Sequence, residues 1–404
     1  SNAMSENKMK ALPFLSMSNL NLHNKRVMIR EDLNVPMKNG KITNDERIVR
    51  ALPTIQKAIE QKARVMILSH LGRPEEGKFE KEFSLAPVAR LLSKKLNQKV
   101  PLINDWLKGV AVEPGQAILC ENVRFNKGEN ENNTELAKRM AELCDIFVMD
   151  AFATAHRAQA STAGVAAYAK LACAGPLLIS EVEALSRALE NPQKPLVAVV
   201  GGSKVSTKIH LLENLLDKVD QLIVGGGIAN TFLKAQGYSI GKSLCENEWL
   251  DAAQQFWEKA AEKNVSLPLP VDVIVADELS EDAKATVKNI DAVTSNESIF
   301  DVGPNTSATY AKLMAQAGTI VWNGPIGVFE IEAFSQGTRA LAQAVAKSTA
   351  YSIVGGGDTL AALDKFNLTD QMSYVSTAGG AFLEFLEGKI LPAIKILTQR
   401  AKEY

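Results

Sequence analysis

The chain has 404 residues, of which 46% are hydrophobic and 23% are charged, and these fractions are typical of a globular protein. A chain of this length is expected to form two or three domains with substantial cores, which excludes a small fold held together by disulfides. The 45 lysine and arginine residues nearly balance 46 aspartate and glutamate residues, so the net charge of -1 excludes attraction of nucleic acid or an anionic membrane by bulk charge. Any anion-binding site must therefore be local.

The cysteines and the start of the chain favour a reducing, cytoplasmic location. No two of the four cysteines form a CxxC motif or a zinc-binding spacing (Cys120, Cys144, Cys173 and Cys245). The chain begins Ser-Asn-Ala-Met, which is typical of a remnant of tag cleavage, and the apolar segment that a secretory signal needs is missing. Residues 1–16 are expected to be disordered or extended.

Taken in chain order, the first half alternates short apolar runs with segments of helical periodicity. The runs predict strands at residues 26–29, 64–68, 116–120 and 146–149. The periodic segments predict helices at residues 45–61, 85–96 and 133–143. This alternation is typical of a parallel sheet flanked by helices.

The second half repeats the pattern after a change of domain. Residues 177–190 are predicted to form one helix, and Pro192 and Pro195 follow it, so we expect the domain change there. Further strands are predicted at residues 196–200, 221–224, 271–276, 319–322 and 352–354. The predicted fold class is therefore α/β, with two similar-sized, Rossmann-like lobes, each a parallel sheet flanked by helices, joined by an interdomain helix and a hinge.

Cationic and polar side chains follow each of the four predicted strands of the first half. Ligands of open α/β sheets bind at the carboxyl ends of the strands, and the arginine fork suits phosphate or carboxylate. The first lobe is therefore predicted to hold a small polyanion. The residues concerned are Arg30, Asp32, Asn34, His70, Arg73, Arg124, His156 and Arg157.

Glycine-rich turns follow three predicted strands of the second half. Such turns allow close backbone approach, and the following helix presents free N–H groups, so they suit phosphate. Lys204 and Lys208 come after the first turn, spaced so that on a helix they share one face. Asp358, in the third turn, is either a magnesium contact or a helix N-cap. The turns are residues 201–203, 225–227 and 355–359.

Two sites of this kind favour phosphoryl transfer, which needs positioning and charge neutralisation more than a covalent nucleophile. Two alternatives remain open on the residues alone. A non-catalytic two-lobed protein would bind one anion and leave ADP unbound. A dehydrogenase would bind a nicotinamide cofactor, although the GxGxxG fingerprint is absent.

The longer motifs resemble those of the phosphoglycerate kinase family, from about Met17 to the C-terminus. The resemblance is specific because many long motifs occur in one order. Those of the first lobe are residues 30–36 (REDLNVP), 69–74 (SHLGRP), 121–125 (ENVRF) and 150–157 (DAFATAHR). Those of the second lobe are residues 201–208 (GGSKVSTK), 322–330 (WNGPIGVFE) and 355–359 (GGGDT).

The resemblance implies transfer of a phosphoryl group from 1,3-bisphosphoglycerate to ADP, giving 3-phosphoglycerate and ATP, with Mg²⁺ bound to the nucleotide and to Asp358. It assigns catalysis to Arg47, Lys208 and Gly357. It assigns phosphoglycerate binding to Arg30, Asp32, Leu33, Asn34, Arg47, His70, Leu71, Gly72, Arg73, Arg124 and Arg157. It assigns nucleotide binding to Gly202, Lys204, Lys208, Gly225, Gly226, Gly227, Asn323, Pro325, Glu330, Gly356, Gly357, Asp358 and Thr359.

The same resemblance implies a cytoplasmic monomer that binds neither nucleic acid nor membrane, with hinge closure near Glu181 and residues 376–377. It implies a phosphoglycerate-binding domain at residues 17–178, joined by residues 391–404. The nucleotide-binding domain then comprises residues 179–390, and the linker helix is residues 177–190. The sequence departs from the common family pattern at Glu31, Ala153, Gln159, Thr207 and Ala378.

Overall fold

The computed structural model describes residues 12–404, and the expectation for residues 1–11 lies outside this range. The chain divides into two units of similar size. Unit 1 comprises the chain up to Glu183 together with Ile390–Tyr404, and unit 2 comprises Ala184–Lys389.

Unit 1 is built on a six-stranded, wholly parallel sheet with the order β5-β6-β4-β1-β7-β8. The strands β2 and β3 form a separate antiparallel hairpin. The strands are β1 (Arg26–Arg30), β2 (Met37–Lys38), β3 (Lys41–Ile42), β4 (Arg64–Leu68), β5 (Leu102–Ile103), β6 (Gln116–Cys120), β7 (Ile146–Met149) and β8 (Leu171–Ala174). The helices are α1 (Glu46–Glu60), α2 (Ala86–Leu96), α3 (Thr134–Glu142), α4 (Val165–Tyr168) and α5 (Pro176–Leu189).

The hydrophobic pattern explains these elements. The central strands are buried on both faces, which is why they read as continuous apolar runs rather than as alternating ones. Helix α1 buries Ile48, Ala51, Ile55 and Ala58, which recur every three or four residues along one face. This face packs on strand residues of the same hydrophobic core. The four strands and three helices predicted for the first half are all present and are confirmed.

Unit 2 is built on a five-stranded parallel sheet with the order β10-β9-β14-β15-β16. Its strands are β9 (Leu196–Gly201), β10 (Gln221–Gly225), β11 (Asp272–Ala276), β12 (Thr286–Asn289), β13 (Ser298–Val302), β14 (Thr319–Asn323), β15 (Tyr351–Gly355) and β16 (Tyr374–Ser376). Its helices are α6 (Val205–Leu216), α7 (Gly227–Ala235), α8 (Leu250–Glu262), α9 (Pro304–Gln316), α10 (Gln336–Lys347), α11 (Gly357–Lys365) and α12 (Gly380–Leu386).

One predicted strand belongs to a different sheet. Residues 271–276 were expected to continue the parallel series, but β11 pairs with β12 and β13 on either side, antiparallel to both. All five residues of β11 are buried, and a fully buried run has the same appearance in a parallel strand and in the centre of a small antiparallel sheet.

The chain returns to unit 1 in the last helix, α13 (Pro392–Ala401), which packs against β8 and α4. The boundary between the units falls inside α5, between Glu183 and Ala184, and therefore precedes the two prolines. Among the described residues, no helix combines the length and the apolar character that a membrane crossing requires.

A buried carboxyl in β13 should make the stability of unit 2 depend on pH. Asp301 is 2% exposed and accepts hydrogen bonds from the backbone N–H groups of Val302 and Gly337, the second in the first turn of α10. Burial outweighs these bonds and raises the pKa of Asp301 to about 7. The folded state therefore keeps a proton that the unfolded state has lost. The contribution of Asp301 to the free energy of unfolding is complete below the pKa of its unfolded state, and it is lost as the pH rises through about 7.

We expect the variant Asp301→Asn to lose less stability than the wild type between about pH 5 and about pH 8, because it has no proton to release there. At about 1.4 kcal/mol per pH unit between about pH 5 and the folded-state pKa of about 7, the difference in the free energy of unfolding is about 3 kcal/mol. Urea unfolding of both proteins at several pH values measures it. Parallel pH profiles would show that Asp301 is ionised in the folded state.

Candidate active site

The candidate site in unit 1 lies at the carboxyl ends of the parallel strands, beginning with Arg30 at the end of β1. Its side chain is completely buried. Nη1 donates to the carbonyl of Glu31 at 2.6 Å, Nε to the hydroxyl of Ser161 at 3.0 Å, and Nη2 lies 3.0 Å from Nδ1 of His70. Each of its three nitrogens therefore has a partner inside the unit, and the assignment of Arg30 to the phosphoglycerate stays a prediction.

His70 follows the neighbouring strand β4 and is 5% exposed. Burial, and after it the charge of Arg30 and of three further arginines, holds the pKa of His70 well below its ordinary value. The imidazole is therefore neutral at neutral pH. Because Arg30 is always a donor, Nδ1 of His70 accepts from it and the ring hydrogen resides on Nε2. The ring thus offers one fixed N–H donor to an anion.

The polar residues after β1 are held to helix α1 and to the turn after β4. Nη1 of Arg47 donates to the carbonyl of Asn34 at 2.5 Å and lies 3.5 Å from the carboxylate of Asp32. The side-chain oxygen of Asn34 accepts from the N–H of Gly72 at 2.9 Å. The structure therefore brings Asp32, Asn34, Arg47 and Gly72 together, although they are distant in sequence.

Three arginines surround a cavity of about 450 Å³ at this edge of the sheet, together with Asn130 and Gln159. Arg73 and Arg157 are exposed, whereas Arg124 is 6% exposed and donates to the carbonyl of Gly72 at 2.6 Å. Burial, followed by the charges of Arg30 and Arg157, lowers the pKa of Arg124 to about 10. Such mutual repulsion is relieved when an anion enters the cavity.

Two residues assigned to the ligand by resemblance have side chains in the core instead. Leu33 is 0% and Leu71 is 3% exposed, and both belong to the hydrophobic cluster of unit 1. Only their backbone atoms can therefore meet a ligand.

Glu31 adds no negative charge to this site. It is completely buried beside Asp150, which is also completely buried, and no N–H or O–H group of the described residues donates to its carboxyl oxygens. Burial, followed by the charge of Asp150, raises the pKa of Glu31 well above its ordinary value. Two carboxylates buried side by side repel each other, so a proton on Glu31 is favoured. Glu31 is therefore the neutral partner.

In unit 2 the strand ends approach one another too closely for side chains. A Cβ atom on Gly201 would lie 1.9 Å from the carbonyl oxygen of Pro325, and a Cβ on Gly225 would lie 2.6 Å from Cγ2 of Ile326. The loops after β9, β10 and β14 consequently form a continuous floor of backbone. Gly202, Gly226, Gly227 and Gly356 continue this floor at the starts of the following helices.

Lys208 and Asn323 form the polar centre of the unit 2 site. Nζ of Lys208 donates to the side-chain oxygen of Asn323, whose amide nitrogen donates to the carbonyl of Gly355 at 3.1 Å. Burial lowers the pKa of Lys208, against the opposing charges of Glu387 and Asp358. Lys204 is exposed and occupies the N-cap position of α6 with an extended backbone. The expectation that both lysines lie on one face inside the helix is therefore wrong, because only Lys208 is helical.

The third glycine turn enters helix α11. Gly357 and Asp358 are the exposed first residues of this helix, and a Cβ on Gly357 would meet open space. Asp358 is therefore inside the helix, and Gly356 occupies the N-cap position. The hydroxyl of Thr359 is buried and accepts from the N–H of Gly324 at 2.7 Å, which ties this turn to the loop after β14. Pro325 is half-buried in that loop, and Glu330 is exposed.

A model of the family described as phosphoglycerate kinase matches residues 17–389. The chain belongs to the phosphoglycerate kinase family. It is 99% identical to phosphoglycerate kinase from Coxiella burnetii, with a TM-score of 0.95 over 97% of this chain and 100% of that chain. It is 33% identical to phosphoglycerate kinase from Pyrococcus horikoshii OT3, with a TM-score of 0.78 over 96% of this chain and 99% of that chain.

Membership in the phosphoglycerate kinase family makes this chain a kinase, a transferase of glycolysis whose substrates include a nucleotide. The predicted α/β fold of two lobes with parallel sheets is confirmed. The two alternatives left open by the residues, an anion-binding protein and a dehydrogenase, are not favoured by these matches.

The departures from the family pattern are accommodated locally. Gln159 is 5% exposed and its amide donates to the side-chain oxygen of Asn130 at 3.1 Å, at the wall of the arginine-lined cavity. The hydroxyl of Thr207 donates to the carbonyl of Lys204 at 3.1 Å. Ala378 is buried and Ala153 is half-buried, and nothing in the structure explains these two alanines.

Proposed function

We propose that this chain catalyses the reversible transfer of a phosphoryl group from 1,3-bisphosphoglycerate to ADP. The bond between phosphorus and the acyl oxygen breaks, and a bond from phosphorus to a β-phosphate oxygen of ADP forms, so that 3-phosphoglycerate and ATP result. The observation that carries the proposal is that unit 1 of a phosphoglycerate kinase fold gathers a neutral histidine, His70, and four arginines, namely Arg47, Arg73, Arg124 and Arg157.

Unit 1 is proposed to bind the phosphoglycerate. The cavity is lined by Arg73, Arg124 and Arg157. These arginines suit the phosphate, because a guanidinium group can donate two parallel hydrogen bonds to it. His70 adds its fixed Nε2–H, and Asp32 with Asn34 suits the hydroxyl and carboxylate end. Arg47 is proposed to neutralise the transferring group, since only one of its nitrogens is engaged by Asn34 and Asp32.

Unit 2 is proposed to bind the nucleotide over the backbone floor. Gly356, Gly357 and Thr359 place the start of helix α11 at the phosphates, where free N–H groups favour negative charge. Lys204 and Lys208 add positive charge, Asn323 and Pro325 shape the loop, and Glu330 is assigned to the ribose. The base is assigned to Gly202 and residues 225–227.

Mg²⁺ is proposed to accompany the nucleotide, held by Asp358 and the phosphate oxygens. The fit is chemical: Asp358 offers an exposed carboxylate beside open space at Gly357, and Mg²⁺ commonly takes one carboxylate together with substrate phosphates. Within residues 12–404, no group of three or more His, Cys, Asp or Glu side chains could hold a metal ion. When bound, Mg²⁺ neutralises phosphate charge, while Lys208 and Arg47 supply the remaining positive charge.

Transfer also requires that the two substrates meet and that water be excluded, because water would hydrolyse the acyl phosphate. We propose hinge closure of the two units, with helix α5 around Glu181 and residues 376–377 as the moving connections. We further propose that the protein is a cytoplasmic monomer and that it binds neither nucleic acid nor membrane. The four free cysteines support a reducing compartment.

The decisive test is ATP formation from enzymatically generated 1,3-bisphosphoglycerate and ADP. ATP should appear at a rate proportional to the concentration of this chain, stop when a chelator is added, and resume when excess magnesium is restored. No ATP above the rate without protein would refute the proposed reaction. Undiminished ATP formation under chelation would refute the proposed role of Mg²⁺ alone.

A further inference from the structure

Beneath the anion site, four buried side chains form one continuous hydrogen-bonded chain. The carboxylate of Glu129 accepts from the hydroxyl of Ser161 at 2.7 Å, and this hydroxyl accepts from Nε of Arg30 at 3.0 Å. Arg30 in turn donates to Nδ1 of His70 at 3.0 Å. Glu129, Ser161 and Arg30 are each 0% exposed.

The donors and acceptors fix the direction of every bond in this chain. Arg30 can only donate, so the oxygen of Ser161 must accept from it. The single hydroxyl hydrogen of Ser161 is then available for the carboxylate of Glu129. The backbone N–H of Ser161 donates to the other carboxylate oxygen of Glu129 at 2.8 Å. The carboxylate therefore accepts two hydrogen bonds from Ser161, one from its hydroxyl and one from its backbone.

Charge balance gives Glu129 a second role. A completely buried guanidinium needs a nearby negative charge, and of the two buried carboxyls beside Arg30, Glu31 is neutral. Asp32 also faces Arg30 but is half-buried and lies near Arg47. Burial raises the pKa of Glu129, and the charge of Arg30 and the hydrogen bonds from Ser161 oppose this shift. The two donors of Ser161, which Glu31 lacks, therefore favour Glu129 as the carboxylate that faces Arg30.

The backbone around Ser161 is shaped for this contact. Ser161 lies in a π-helical turn at Ala160–Gly164, and the N–H of Ala160 donates to the carbonyl of Glu129 at 2.9 Å. Turns of this kind are rare and frequently occur at functional sites. Backbone and side chain thus hold the same pair of segments together.

On these grounds we propose that Glu129 and Ser161 are positioning residues for the anion site. They hold the guanidinium of Arg30, which in turn fixes His70 in the form that carries its hydrogen on Nε2. The inference rests on the proposed function, in that His70 then presents this hydrogen to phosphoglycerate. Neither residue touches the ligand itself.

The test follows His70 directly by NMR of protein labelled with ¹⁵N-histidine. The chain has four histidines, so the His70→Asn variant assigns the His70 signals. In the wild type we expect one tautomer that does not change across the neutral range. In Glu129→Gln and Ser161→Ala we expect signals of mixed tautomers that begin to titrate, because Arg30 is no longer held against Nδ1.

A matched control is available in the same unit. The hydroxyl of Ser84 donates to the buried carboxylate of Glu121 at 2.7 Å, with a backbone N–H, that of Leu85, on the other oxygen. This pair repeats the geometry without contacting Arg30. Ser84→Ala should therefore lose similar stability but leave the His70 signals as in the wild type. If the signals of His70 stay unchanged in Glu129→Gln and Ser161→Ala, or change equally in Ser84→Ala, the positioning role is wrong.

Steady-state kinetics test the positioning role independently of the NMR comparison. The apparent KM for phosphoglycerate should rise about tenfold in Ser161→Ala, as for the loss of one hydrogen bond to a charged group, while the KM for the nucleotide stays constant. Equal changes in both KM values would contradict the proposal. If the wild type forms no ATP, the proposed reaction fails, but the NMR comparison still decides whether Glu129 and Ser161 hold His70.

Discussion

Replacement of Lys208 by alanine is expected to lower the turnover number at least about a hundredfold, the usual cost of losing one preorganised charge donor. Lys208 is held by Asn323 at the polar centre of the unit 2 site, and its charge is partly desolvated there. The side chain is half-buried and belongs to the first turns of α6, so its loss should leave the fold intact. A coupled assay with saturating substrates measures the effect.

The matched control for this prediction is Lys218→Ala. Lys218 is exposed just beyond the end of α6, so its loss removes the same charge from the same unit without touching the site. Turnover of this control should equal that of the wild type. Near-normal turnover of Lys208→Ala, with unchanged circular dichroism, would remove Lys208 from the mechanism.

Replacement of Arg157 by alanine should weaken phosphoglycerate binding about tenfold to a hundredfold and leave nucleotide affinity nearly unchanged. Arg157 is exposed at the wall of the cavity and forms no ion pair with any residue from 12 to 404, so its fork is available to an anion. Isothermal titration calorimetry with 3-phosphoglycerate and, separately, with ADP distinguishes the two affinities.

Arg90→Ala is the control, because Arg90 is an exposed arginine of unit 1 that lies in helix α2, outside the arginine-lined cavity. It should bind both ligands as the wild type does. Loss of ADP binding in Arg157→Ala, with phosphoglycerate binding retained, would reverse the assignment of the two units to their substrates.

The sequence predicts the central strands of the two parallel sheets and the edge strand β10, but it misses the other three edge strands. The central strands carry long Val and Ile runs because both of their faces are buried. The strand β8 was missed because three of its four residues are small, in the sequence Leu-Ala-Cys-Ala. The strands β5 and β16 were missed because they have only two and three residues. The short hairpin of β2 and β3 was missed for the same reason of length.

For the site, sequence position indicates which loops meet but not which way a side chain faces. Arg30 and Arg73 both follow strands, yet one is completely buried and the other is exposed. Glu129 carries no signal at all, because it lies among polar residues that are typical of a surface loop. Its role depends on a contact with Ser161, 32 residues later, which only the tertiary fold creates.

The crowding at Gly201 and Gly225 limits how the proposed nucleotide site can be altered. Each of these glycines faces the loop after β14 at a distance that leaves no room for a methyl group. A single substitution in the floor would therefore push a neighbouring loop aside, and compensation would have to come from a second loop at the same time. Engineering of a different nucleotide preference should therefore begin with residues at the rim, such as Glu330, where libraries can vary one position independently.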